Sequence, residues 1–139
     1  MPPASPLEAW PKAAPEGACG STLASMVDED PVTTNPTHYR TIFENEFVRV
    51  LDYADEPGDR TTPHVHPNSV MVTLSDFERR LATAAGERDV HLGAHQVLWL
   101  PAQRHTGENI GATETRTLLI ELKGDAAGVV QDRILGPET

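Results

Sequence analysis

From Tyr39 onward the chain alternates short apolar stretches with clusters of turn residues, the pattern expected of an all-β sandwich or barrel. Strands are predicted over 39–43, 46–53, 61–66, 70–75, 77–83, 88–92, 97–101 and 115–123. Turn-forming residues separate them at Glu56-Pro57-Gly58-Asp59, Pro67-Asn68, Ala85-Gly86-Glu87, Gly93-Ala94-His95 and Asn109-Ile110-Gly111. His95 suits such a turn because histidine tolerates a positive φ better than bulky residues do. Eight short strands suit a jelly roll. In 46–53 the apolar residues fall on both faces, with Phe47 and Leu51 on one and Val48 and Val50 on the other, which marks a candidate interface strand.

Before residue 37 the pattern is different. Pro2, Pro3, Pro6, Pro11 and Pro15 break up Ala, Gly and Ser, and no helical or alternating period is sustained. Residues 1–36 read as an irregular arm, in which 23–27 is a candidate for docking on the domain or on a second copy. Residues 37–124 read as one barrel and 125–139 as a tail, with room for a short helical turn in 126–135 between Gly124 and Gly136-Pro137.

Composition narrows the function classes. A chain of 139 residues has the size of one domain, and 38% hydrophobic with 23% charged residues is ordinary for a globular protein. No apolar run reaches the length of a membrane span, and the first twenty residues lack a basic start followed by an apolar block, so a cytoplasmic protein without a membrane partner is expected. The net charge of -10 disfavours nucleic acid, whose phosphates need clustered Lys and Arg. Cys19 is the single cysteine, which excludes an intrachain disulfide and a thiolate metal cage.

Candidate chemistry resides in histidines. In Pro63-His64-Val65-His66-Pro67 an extended backbone points His64 and His66 to the same face, and the flanking prolines place the segment at a strand end or rim. A rigid strand thus offers two imidazoles to one divalent ion. His105 follows the apolar stretch Val97-Leu98-Trp99-Leu100 and Pro101 as the candidate third ligand, whereas His38 and His91 have no partner by spacing and read as surface residues. No Gly-x-Ser-x-Gly elbow, phosphate-cradling glycine loop or His-Glu-x-x-His helix competes with this trio.

The same residues resemble the cupin superfamily, a double-stranded β-helix jelly roll. Gly58, His64 and His66 match its first motif of glycine, five residues and His-x-His, and Pro101, His105 and Asn109 match the proline, histidine and asparagine of its second. The chain further resembles small bacterial single-domain cupins, some labelled as beta-alanine degradation proteins. It departs from the motifs in three places. No carboxylate lies between His66 and Asp76, so Ser69, Val70 or Met71 stands near the place of the motif's glutamate. His95 replaces the first glycine of the second motif, and the segment Gln103-Arg104 lacks that motif's Pro-x-Gly glycine.

The resemblance implies one divalent ion on His64, His66 and His105, with iron expected first and zinc, nickel or manganese as alternatives. It also implies a homodimer by family habit. Three neutral imidazoles leave the charge of such a site near that of the ion, which favours a small anionic ligand. Tyr53, Met71, Phe77 and Trp99 are candidates for an apolar pocket wall. Gln103, Arg104 and Glu108 are candidates for orienting substrate or a proton, and Asn109 for securing a turn. The expected function is a metal-dependent enzyme of the non-heme oxygenase type. The alternatives are a ligand-binding cupin without catalysis and an isomerase or cyclase in which Glu108 or a histidine passes protons.

Overall fold

Every second residue of the last strand, Thr115, Thr117, Leu119 and Glu121, is buried, so this strand presents one face to the interior and one outward. The same alternation organises the rest of the computed structural model, which describes residues 29–131 and 133–138. Nine strands occur among them: β1 (Tyr39–Glu44), β2 (Val48–Asp55), β3 (His64–His66), β4 (Ser69–Thr73), β5 (Phe77–Thr83), β6 (Gly86–Leu92), β7 (Val97–Leu100), β8 (Gln103–Asn109) and β9 (Thr115–Leu122). They form a five-stranded sheet in the order β1-β2-β9-β4-β7 and a four-stranded sheet in the order β3-β8-β5-β6. All named pairings are antiparallel, as a jelly roll requires.

The core between the sheets contains Tyr39, Leu51, Tyr53, Met71, Phe77, Leu92, Leu100 and Leu119. Each such aliphatic or aromatic side chain contributes roughly 1.5–3 kcal/mol by leaving water. Polar residues share the interior: Ser69, Thr73, Thr115 and Thr117 are buried beside the apolar ones. Among the described residues, only Nε of Arg116 is a buried side-chain donor without a partner.

Eight of the strands correspond to predicted ones, with small shifts at their ends. β8 is additional, since residues 103–109 fall in none of the predicted strands. Its buried positions are Gln103, His105, Gly107 and Asn109, which carry no apolar signal. The strand predicted over 46–53 begins at Val48, which leaves Phe47 outside it, and is paired on both sides, by β1 and by β9. His95 has φ 67°, as its turn position requires, and Gly58 has φ 92° in the turn where Asp59 N–H donates to the Glu56 carbonyl at 2.9 Å.

Cys19, segment 23–27 and most of the expected arm lie outside the described residues. The last part of that arm is ordered against the barrel: helix α1 (Pro31–Thr34) is capped by Asp30, and Val65 N–H donates to the Glu29 carbonyl at 2.8 Å. In the tail, a 3-10 turn spans Gly124–Ala127, and the described residues from 128 to 138 have no helix, in contrast to the turn predicted in 126–135. No helix of the described residues is long and apolar enough to cross a membrane.

Candidate metal centre

Pro63 and Pro67 bracket a strand of three residues, so β3 holds little beyond the two histidines it presents. Both His64 and His66 are 1% exposed. His105 lies on β8 directly opposite His64 in the antiparallel register, and His66 lies opposite Gln103. Ring centroids are separated by 4.9 Å for His64 and His66, 4.9 Å for His64 and His105, and 5.2 Å for His66 and His105. One ring nitrogen from each lies within 4.8 Å of the other two, a spacing that could admit one metal ion.

The opposite ring nitrogens decide the tautomers. His64 Nδ1–H donates to the Thr62 carbonyl at 2.7 Å, His66 Nδ1–H to Oε2 of Glu121 at 3.2 Å and His105 Nδ1–H to Oε1 of Gln103 at 2.7 Å. A carbonyl, a carboxylate and an amide oxygen can only accept, so each neutral imidazole keeps its Nε2 lone pair for the space between the rings. The orientation of the Gln103 amide follows from its partners. Its nitrogen donates to the carbonyls of Pro101 at 2.9 Å and Gly136 at 3.2 Å, while its oxygen also accepts from Gly136 N–H at 2.7 Å. Glu121 is fixed in turn by Nε of Arg49 at 2.9 Å, and Arg49 by Asp30 at 2.8 and 3.0 Å. Ligands oriented in this way through their remote nitrogen are a hallmark of metal-binding histidines.

Tyr39 stands over the trio. Its hydroxyl lies 3.2 Å from Nε2 of His64 and 3.4 Å from Nε2 of His66. One O–H can serve only one of these lone pairs, so at least one buried acceptor faces no proton, and the donor set fits a cation. Burial, reinforced by repulsion from His66, pushes the His64 imidazole down to about 3. Burial and the neighbouring His64 and His66 likewise push His105 well below the ordinary histidine range. Burial raises the Tyr39 hydroxyl, which keeps its proton in the metal-free protein.

The three nitrogens open on a cavity of about 60 Å³, lined also by Tyr53, Met71, Phe77, Arg79 and Leu119. That is space for about four water-sized groups. Met71, on the inner face of β4, occupies the neighbourhood in which a glutamate is missing. Tyr53 and Phe77 line the cavity, but Trp99 does not: Leu98 and Leu100 point inward from β7, leaving Trp99 on the face it shares with exposed Val97. Gln103 touches His105 as described. Arg104 points outward and pairs with Glu29 at 2.8 Å, and Glu108 pairs with Arg60 at 3.6 Å, because both occupy outward positions of β8. His91 is exposed, whereas His38 is half-buried with Nδ1 3.0 Å from the Ala54 carbonyl.

Several site residues escape sequence reasoning. Arg79 is buried, with its guanidinium carbon 5.1 Å from the Tyr53 ring centroid and Nη1 2.5 Å from Asp55 and 3.3 Å from Thr115. Tyr53 donates to the same Asp55 carboxylate, and Asn109 donates to it at 3.0 Å while accepting from Gly111 N–H at 3.0 Å in the turn. Gly107 makes room for this cluster, since a Cβ there would lie 2.5 Å from Nη2 of Arg79. A buried arginine partnered across four strands leaves no local trace in sequence. The one available signal is the inward phase of Arg79 between Phe77 and Leu81.

No family model matches the chain, and no curated protein matches it. Among solved structures, a cupin domain from Bordetella pertussis Tohama I is 26% identical, with a TM-score of 0.58 and coverage of 62% of this chain and 92% of that chain. A conserved protein with a double-stranded β-helix domain from Klebsiella pneumoniae is 20% identical, with a TM-score of 0.51 and coverage of 73% and 83%. The fold is that of the cupin double-stranded β-helix.

Proposed function

We propose that this barrel is a metal-dependent enzyme of the non-heme oxygenase type, with His64, His66 and His105 holding one divalent ion beside a pocket for a small anion. The observation that carries the reading is the set of three Nδ1–H groups committed to three different acceptors, which leaves three Nε2 lone pairs convergent in a buried space. Bound iron would supply dioxygen chemistry, and zinc, nickel or manganese Lewis acidity.

The protein's own part is binding, orientation and exclusion of water. Arg79 lines the cavity, and among the described residues only its Nη1 is engaged in hydrogen bonds, so Nε and Nη2 remain as donors for a carboxylate or other small oxyanion. Asp55 neutralises Arg79 and Arg49 neutralises Glu121, so a divalent ion on neutral imidazoles would favour an anionic ligand. Met71, Phe77, Leu81 and Leu119 form an apolar wall that strengthens these polar contacts by keeping water out.

Metal analysis of protein made without a histidine tag tests the reading. About one equivalent of metal per chain is expected in the wild type and its loss in His66→Ala. Little metal in both proteins after reconstitution would overturn it. Met71 at the place of a missing carboxylate favours a second reading, a ligand-binding barrel without catalysis. That reading predicts a ligand-dependent rise in melting temperature that survives chelation.

A further inference from the structure

The geometry points to Tyr39 as a fourth protein ligand of the centre, its phenolic oxygen taking the coordination position for which the chain has no carboxylate. The inference rests on the three-histidine reading and adds a donor to it. Glu121, the nearest acidic residue on the inner face, cannot fill that position while it accepts from Nδ1 of His66, the nitrogen turned away from the other rings, and is clamped by Arg49. Met71 offers only a thioether, a soft and weak donor for a divalent ion of this kind.

Tyr39 reaches the centre from the opposite sheet. On β1 it is paired in register with Tyr53 on β2, and its ring packs 4.6 Å from the Tyr53 ring centroid, which fixes the phenol axis. Its hydroxyl has no hydrogen-bond partner among the described residues other than Nε2 of His64 and His66, at 3.2 and 3.4 Å. Metal–nitrogen and metal–oxygen bonds of about 2.0–2.1 Å place adjacent ligand atoms about 3.3–3.4 Å apart in a tetrahedral centre and about 2.8–3.0 Å apart in an octahedral one. At 3.2 and 3.4 Å the hydroxyl oxygen therefore already stands close to the separation from two histidine nitrogens that a shared tetrahedral ion imposes. On coordination the O–H bond is replaced by an oxygen–metal bond, the proton passes to solvent, and no oxidation state changes.

The chain has two tyrosines, which makes the test specific. The full-length protein is loaded with Fe(II) without air and oxidised with one equivalent of ferricyanide. Its iron content is measured, and its visible absorption and resonance Raman spectra are recorded beside those of Tyr39→Phe and Tyr53→Phe. The expected result is a phenolate-to-Fe(III) charge-transfer band with tyrosine ring modes, present in wild type and Tyr53→Phe and lost in Tyr39→Phe. The band in wild type and Tyr53→Phe assigns the ligand even where Tyr39→Phe holds less iron. Stoichiometric iron with no band in the wild type, or a band that persists in Tyr39→Phe, would overturn the assignment and leave the three-histidine site standing. Failure of the wild type to hold iron at all would remove that site and this ligand together.

Discussion

His64 is held by the main-chain carbonyl of Thr62, whereas His105 and His66 depend on the side chains of Gln103 and Glu121. The three supports therefore differ in how far substitution can reach them. Gln103→Leu removes the acceptor that fixes the His105 tautomer, and metal affinity is expected to fall roughly 10- to 100-fold by competition with a chromophoric chelator. Thr62→Ala keeps its carbonyl and is expected to leave affinity unchanged. Equal losses in the two variants would refute this account of how the ligands are held. Gly107 supplies a second contrast. Its Cβ would meet Arg79 at 2.5 Å, while one at Gly93 would find its nearest contact at 3.6 Å. Gly107→Ala is expected to destabilise by roughly 1–3 kcal/mol in urea titration, and Gly93→Ala by much less.

At the scale of elements, Asp55 on β2 and Arg79 on β5 join the two sheets, with Thr115 on β9 and Asn109 on β8 completing the clamp. Removing one partner of such a buried pair strands the other charge. Arg79→Met is expected to cost about 3–5 kcal/mol, and Arg79→Met with Asp55→Asn distinctly less, by equilibrium unfolding. A double variant no better than the single one would show that the pair acts through packing alone. These same elements define how much the sequence discloses. Apolar alternation reveals the strands with leucine, valine and phenylalanine on their inner phase, and the His-x-His spacing on β3 reveals two ligands. β8 stays hidden because its inward residues, Gln103, His105, Gly107 and Asn109, are selected for hydrogen bonding and space. Tyr39 and Arg79 stay hidden for a related reason: their roles depend on cross-strand and cross-sheet neighbours, which period-2 reading cannot supply.

For the whole molecule, the depressed histidines set a direction for acid sensitivity. His64 titrates near 3 in the metal-free fold and His105 also well below the 6.5 of an exposed histidine, so the unfolded chain binds these protons first as pH falls. Their contribution to stability is fully present above pH 6.5 and is lost as pH drops from there toward 3, at up to about 2.7 kcal/mol per pH unit for two groups. Urea midpoints of the metal-free protein should fall over that window, and His64→Asn should flatten the fall. The strand register carries a kinetic consequence as well. β2 pairs with β9 and β3 with β8, so the centre draws its donors from chain segments that meet only when the barrel has closed. Pairings so distant in sequence form slowly, and no early local structure can gather the three imidazoles. An ion can therefore slow the escape from the finished barrel without hastening its assembly: added metal should leave the refolding rate constant unchanged and lower the unfolding rate constant.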